Sequence, residues 1–112
     1  MSYPKSIELD LPSDLTAPRA ARRALAALQP SDEAQLVVGE LVANAVLHGA
    51  PPIRLCVIPL GTRLMIEVCD GRPGLGPPAP DSRGLRVVEA LTVDWGVDVR
   101  LDGKMIWAAV SR

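Results

Sequence analysis

Phenylalanine is missing from these 112 residues, and aromatic residues make up only 3% of them. Any core must therefore be aliphatic, built from Leu, Val, Ile and Ala. Charge of one sign is also missing. Basic and acidic residues nearly cancel, and a formal net charge of -1 gives no electrostatic footprint for nucleic acid. No stretch approaches the roughly 20 apolar residues of a membrane-spanning helix. The opening Met-Ser-Tyr-Pro-Lys-Ser-Ile-Glu-Leu-Asp lacks the apolar segment of a signal peptide, so the expected location is the cytoplasm. Histidine occurs once and cysteine twice, as Cys56 and Cys69, without metal-ligand spacing. The two thiols read as small buried hydrophobes of a reducing compartment.

What remains is hydrophobic enough to fold. Residues of apolar type make up 48%, and the length suits one domain over residues 1–112. Ser6 to Leu11 alternates and reads as a strand. Thr16 is positioned to cap a helix that has Pro18 in its first turn and runs to about Leu28. Its Arg19, Arg22 and Arg23 share a face that reads as solvated, with a partner-docking surface as the sharper alternative. Ser31 caps a second helix, whose Asp32 and Glu33 favour its positive end, and Gly49-Ala50-Pro51-Pro52 stops it after His48. Ile53–Ile58 and Arg63–Cys69 form a hairpin around Gly61-Thr62. Gly71 to Arg83 is a loop of interleaved glycine and proline. A third helix starts at Gly84-Leu85. Two closing strands, Thr92–Arg100 and Lys104–Val110, turn at Asp102-Gly103. The order β-α-α-β-β-α-β-β implies an α+β two-layer sandwich, with helices on one face of a mixed, mainly antiparallel sheet.

Within the second helix Glu40, Asn44 and His48 stand four residues apart. Each such step turns by about 400° and climbs roughly 6 Å, so the three polar groups form one slowly drifting row. The neighbouring Leu41, Val42, Ala45, Val46 and Leu47 are aliphatic. A polar row on such a helix is either its solvent-facing side or a set of groups with something to bind. Two further features favour binding. Asp70 ends a strand, from where a carboxylate can read a base edge. The glycine-rich loop delivers Ser82-Arg83-Gly84-Leu85 to a helix start, where free N–H groups and the helix dipole favour phosphate.

These boxes, in this order, resemble the GHKL superfamily of ATPases and kinases. Glu40-Leu-Val-Ala-Asn44-Ala-Val-Leu-His48-Gly49 is similar to its N-box, Val68-Cys-Asp70-Gly-Arg-Pro-Gly74 to its first glycine box, and Ser82-Arg-Gly84-Leu85-Arg-Val-Val-Glu-Ala-Leu91 to its second. Trp95-Gly96 and Gly103-Lys104-Met-Ile-Trp107-Ala resemble the end of the branch that holds anti-sigma-factor serine/threonine kinases. The resemblance implies a Bergerat-type sandwich binding ATP and Mg²⁺. Asn44 would hold the metal, Asp70 the adenine amino group, and Gly74 would let the backbone approach the base. Arg83, Gly84 and Leu85 would shape the triphosphate end, His48 would lie beside the phosphates, and Glu40 would be the general base. Expected partners are a sigma factor, an antagonist protein and a second copy of the chain, with no direct nucleic-acid or membrane partner.

The chain also departs from the family pattern. Arg72 replaces the middle glycine of the first box, Ser82 replaces the first glycine of the second, and Met105 stands where relatives often carry a hydroxyl near the adenine. A regulatory nucleotide-binding module of weak or no catalytic activity is therefore the alternative to a kinase. A sensor histidine kinase is disfavoured, because the one histidine is committed to the N-box and no helical hairpin presents a phosphoacceptor.

Overall fold

Alternating apolar residues define each strand of the sheet. The computed structural model describes residues 6–73 and 83–112, without the side chains of Arg83 and Gly84. Strands β1 (Ile7–Leu11), β2 (Ile53–Leu60), β3 (Arg63–Asp70), β4 (Asp94–Arg100) and β5 (Gly103–Ser111) form one sheet in the order β1-β2-β3-β5-β4. All four ladders are antiparallel. Helices α1 (Ala17–Leu25), α2 (Asp32–His48) and α3 (Arg83–Leu91) interrupt the strands in the expected order. A short 3₁₀ turn, Ala26–Leu28, extends α1 to the expected end.

In β2, β3 and β5 alternate residues face the helices and are buried, as the period of two requires, while β4 at the sheet edge has none buried. Ile53, Leu55 and Val57 of β2, Leu64, Ile66 and Val68 of β3, and Ile106, Ala108 and Val110 of β5 make the sheet side of the core. Val37, Val38, Leu41, Val42 and Ala45 of α2 press on them, with Ala17, Ala21 and Leu25 of α1 completing the layer. The core is wholly aliphatic. The arginines of α1 are solvent-exposed, as the solvated reading has it.

Three local readings change. Thr16 does not cap α1, since its backbone is already helical and its side chain makes no capping bond. Asp14 takes that place: its carboxylate accepts from both the N–H and the hydroxyl of Thr16, which holds its pKa below the usual carboxylate range. The β4–β5 turn is Leu101-Asp102, because Gly103 already pairs with Arg100. The cysteines are half-buried on the open face of the sheet, outside the core. Partial burial, with Glu67 adding repulsion, pushes both thiols above the ordinary 9.0.

Ser31 behaves as expected. Its hydroxyl oxygen accepts from the Ala34 N–H at 3.1 Å and its proton is donated to the Ser111 carbonyl at 2.8 Å. One side chain thus starts α2 and ties it to the end of β5. Ser31→Ala should destabilise the fold by about 1–2 kcal/mol, the cost of a lost N-cap. Urea unfolding reads this directly, and an unchanged midpoint would mean that water replaces both bonds at no cost.

Candidate functional site

Helix α2 is buried nearly all round, between α1, the sheet and α3, which explains its low polarity. Its solvent side is carried by Asp32, Glu33, Leu36, Leu47 and His48. The polar row is therefore solvated at His48 and fully buried only at Asn44. Glu40 is half-buried and Asn44 is 5% exposed, while His48 reaches solvent at the last turn. Among the described residues Glu40 has no hydrogen-bond or ion-pair partner. The carboxamide nitrogen of Asn44 is fully buried and unpartnered. An amide left so costs roughly 1–3 kcal/mol, so the fold carries it at a loss.

Asp70 arrives by strand parity. The alternation that buries Leu64, Ile66 and Val68 also turns Asp70 inward, where it is 6% exposed. Its carboxylate lies against the end of α2: a Cβ on Gly49 would fall 2.5 Å from Asp70 Cγ. Glycine at that helix end thus makes room for the acid. A carboxylate at the negative end of a helix dipole is unfavourable, and two groups offset it. The Arg72 N–H donates to Asp70 Oδ1 at 2.8 Å, and Lys104 Nζ lies 3.7 Å from Oδ2. The Arg72 guanidinium donates in turn to the His48 carbonyl at 2.7 Å, satisfying one of the last carbonyls of α2. Arg72 therefore clamps the strand end to the helix end.

Lys104 was not among the residues singled out from the sequence. It pairs with Asp70 across the β3–β5 ladder and shares its face of the sheet. Met105, expected near the base, belongs to the opposite parity and pairs with Cys69 on the open face. The signal for Lys104 was a lone lysine in a strand whose following alternate residues, Ile106, Ala108 and Val110, are all apolar. Leu85 is buried in the first turns of α3, which packs on α2. Gly74, Ser82 and the side chains of Arg83 and Gly84 lie outside the described residues, so the triphosphate end is not placed.

A cleft of about 230 Å³ opens at the strand ends, lined by Arg54, Cys69, Asp70, Arg100, Lys104 and Met105 among others. Among the described residues it meets the predicted set only at Asp70. Glu40 and Asn44 lie away from it, on α2. Among the described residues no group of three His, Cys, Asp or Glu side chains could cage a metal. Mg²⁺ is usually held by one or two protein groups together with phosphates. The orphaned Asn44 Nδ2 is a donor that suits a phosphate oxygen, and Oδ1 of the same amide is the atom that would meet a metal, so Asn44 and the acid seated against Gly49 fit a metal-chelated nucleotide.

If the Asn44 amide is kept for a ligand, removing it should stabilise the empty protein. Asn44→Leu, of similar volume and wholly apolar, should raise the unfolding free energy by roughly 1–3 kcal/mol in ligand-free denaturant titration. A loss of stability would show that the amide is satisfied within the fold.

No protein-family model matches the chain, and no curated protein matches it in sequence. Among solved structures, it is similar to a crystal structure of the RsbU and RsbW domains of Rv1364c from Mycobacterium tuberculosis, with a TM-score of 0.72 and 21% identity. The match covers 95% of this chain and 31% of that one, so the chain spans less than a third of its neighbour's length. The two share the α+β sandwich fold.

Proposed function

We propose that this chain is an ATP- and Mg²⁺-dependent serine/threonine protein kinase of the anti-sigma regulatory type, which phosphorylates an antagonist protein and binds a sigma factor. The observation that carries the reading is the buried, unpartnered Asn44 amide one helical turn from the unpartnered carboxylate of Glu40, with Asp70 seated at the same helix's end. The sequence resemblance supplies the chemistry that such groups serve, and the fold shared with the Rv1364c chain is consistent with it.

In this reading Asn44 holds the metal and Asp70 accepts the adenine amino proton. Bound magnesium ATP supplies the phosphoryl group and the neutralisation of its charge. The protein's own task is positioning, which dominates phosphoryl transfer. Glu40 orients the attacking hydroxyl and takes its proton as the oxygen bonds to the γ-phosphorus and the bond to the β,γ-bridging oxygen breaks, releasing ADP, a contribution of about 10²–10⁴-fold. Leu85, with Arg83 and Gly84 before it, shapes the triphosphate end, and His48 lies beside the phosphates. The sigma factor and the antagonist protein, and a homodimer, belong to the same proposal.

One observation favours a second reading, a binding module without turnover. Arg72 ties the strand end to the C-terminus of α2 where the family pattern has a glycine. Such a clamp suits a fixed regulatory shape.

Transfer assays separate the two. With radiolabelled ATP, Mg²⁺ and an antagonist protein, the kinase reading expects label on a serine or threonine of the antagonist. Glu40→Gln should lower transfer about 10²-fold or more while ATP binding, read by calorimetry, persists. Asn44→Ala should weaken binding in a Mg²⁺-dependent way. Binding without transfer selects the regulatory module, and ATP binding indifferent to Mg²⁺ contradicts both.

A further inference from the structure

Buried lysines are rare unless fully paired, and Lys104 is not fully paired. Its side chain is 7% exposed and that of its partner Asp70 is 2% exposed, yet the two charges stand 3.7 Å apart. That distance is an ion pair but not a hydrogen bond. Among the described residues the ammonium donates no hydrogen bond at all. It therefore brings three unspent donors to the acid that the proposed function assigns to the base. The Asp70 carboxylate is also only half used, since Oδ1 takes the Arg72 N–H while Oδ2 has no hydrogen bond.

Cross-strand pairing fixes these two groups side by side on rigid elements, with one acceptor and one donor facing the same way. A base edge read by hydrogen bonds needs complementary groups of that kind. Adenine presents an amino donor at N6 next to an acceptor at N1. Building on the nucleotide reading above, we infer that Lys104 is a second base-reading residue, donating to adenine N1 while Asp70 accepts from N6. The short main-chain approach at Gly103 supports this placement, because any Cβ there would collide with the Asp70 carbonyl and push the pair apart. Lys104 thus does two things at once. It offsets the Asp70 charge beside the negative end of α2, and it supplies the donor that completes the purine edge.

A purely structural lysine would fulfil the first role only, and a ligand lacking N1 tells the two apart. The whole chain is titrated calorimetrically, with Mg²⁺, against ATP and against 1-deaza-ATP, in which C–H replaces N1. Wild type should bind 1-deaza-ATP about 10-fold or more weakly, as expected for a lost hydrogen bond from a charged donor. In Lys104→Met that preference should fall to about twofold or less, whatever happens to affinity overall. Lys104→Gln keeps a neutral donor beside Asp70 and serves if the methionine variant does not fold; its preference should fall between the two. A preference undiminished by either substitution overturns the role of Lys104, as does a wild type that binds both nucleotides equally. A wild type that binds neither nucleotide overturns the proposed function itself, and this inference with it.

Discussion

The ladder between β3 and β5 forces Asp70 and Lys104 onto the side of the sheet that carries Leu64, Ile66 and Val68. Side chains alternate strictly along a strand, so register and burial together leave these two polar residues no other face. A slip of one residue would expose the pair and bury Cys69 and Met105 instead, while also exposing the three apolar residues. The free energy that fixes the register is hydrophobic. The same alternation that makes an aliphatic core of residues 64–68 places a buried carboxylate at the end of it.

Helix α2 meets that carboxylate from the other layer. Because it is packed on most sides, Asn44 cannot turn to water and its amide nitrogen stays desolvated, while Asp32, Glu33 and His48 reach solvent. The C-terminus of the helix points its negative end at Asp70, and the local structure is organised around relieving that conflict. Gly49 leaves room, Lys104 brings positive charge, and the Arg72 guanidinium takes up the His48 carbonyl. Burial of unpaired polar groups weakens a fold, and each calls for a partner in bound water, an ion or a ligand; Gln35 Oε1 and Thr92 Oγ1 stand in the same state as the Asn44 amide. Two facing layers that each retain one, Asn44 on the helix and the half-used Asp70–Lys104 pair on the sheet, fit a binding cleft better than a structural core.

Much of this was legible in the residues. Ser31 with Asp32 and Glu33 marked the start of α2, Gly61-Thr62 marked a tight hairpin, and the polar row at four-residue spacing marked the helix that matters. Whether that row faced solvent could not be read from periodicity, since α2 is apolar on several sides and its burial is decided by α1 and α3 packing on it. The pairing of Asp70 with Lys104 was equally hidden, because it depends on register across 34 positions of chain. Parity likewise turned Met105 to the open face and Lys104 to the face of Asp70. Thr16 was misread because Asp14, two residues earlier, reaches its N–H first and shifts the helix start. The cysteines looked buried because their strands are apolar, and only the sheet's one-sided helix layer shows that their face is open.

The most direct measurement of the account is a crystal structure of the chain with a non-hydrolysable ATP analogue and Mg²⁺. The account places the base against Asp70 and Lys104 and the metal on the Asn44 carboxamide, between the sheet and α2. Ligand density that touches neither Asp70 nor Lys104, with the Asn44 amide still unpartnered, would contradict it.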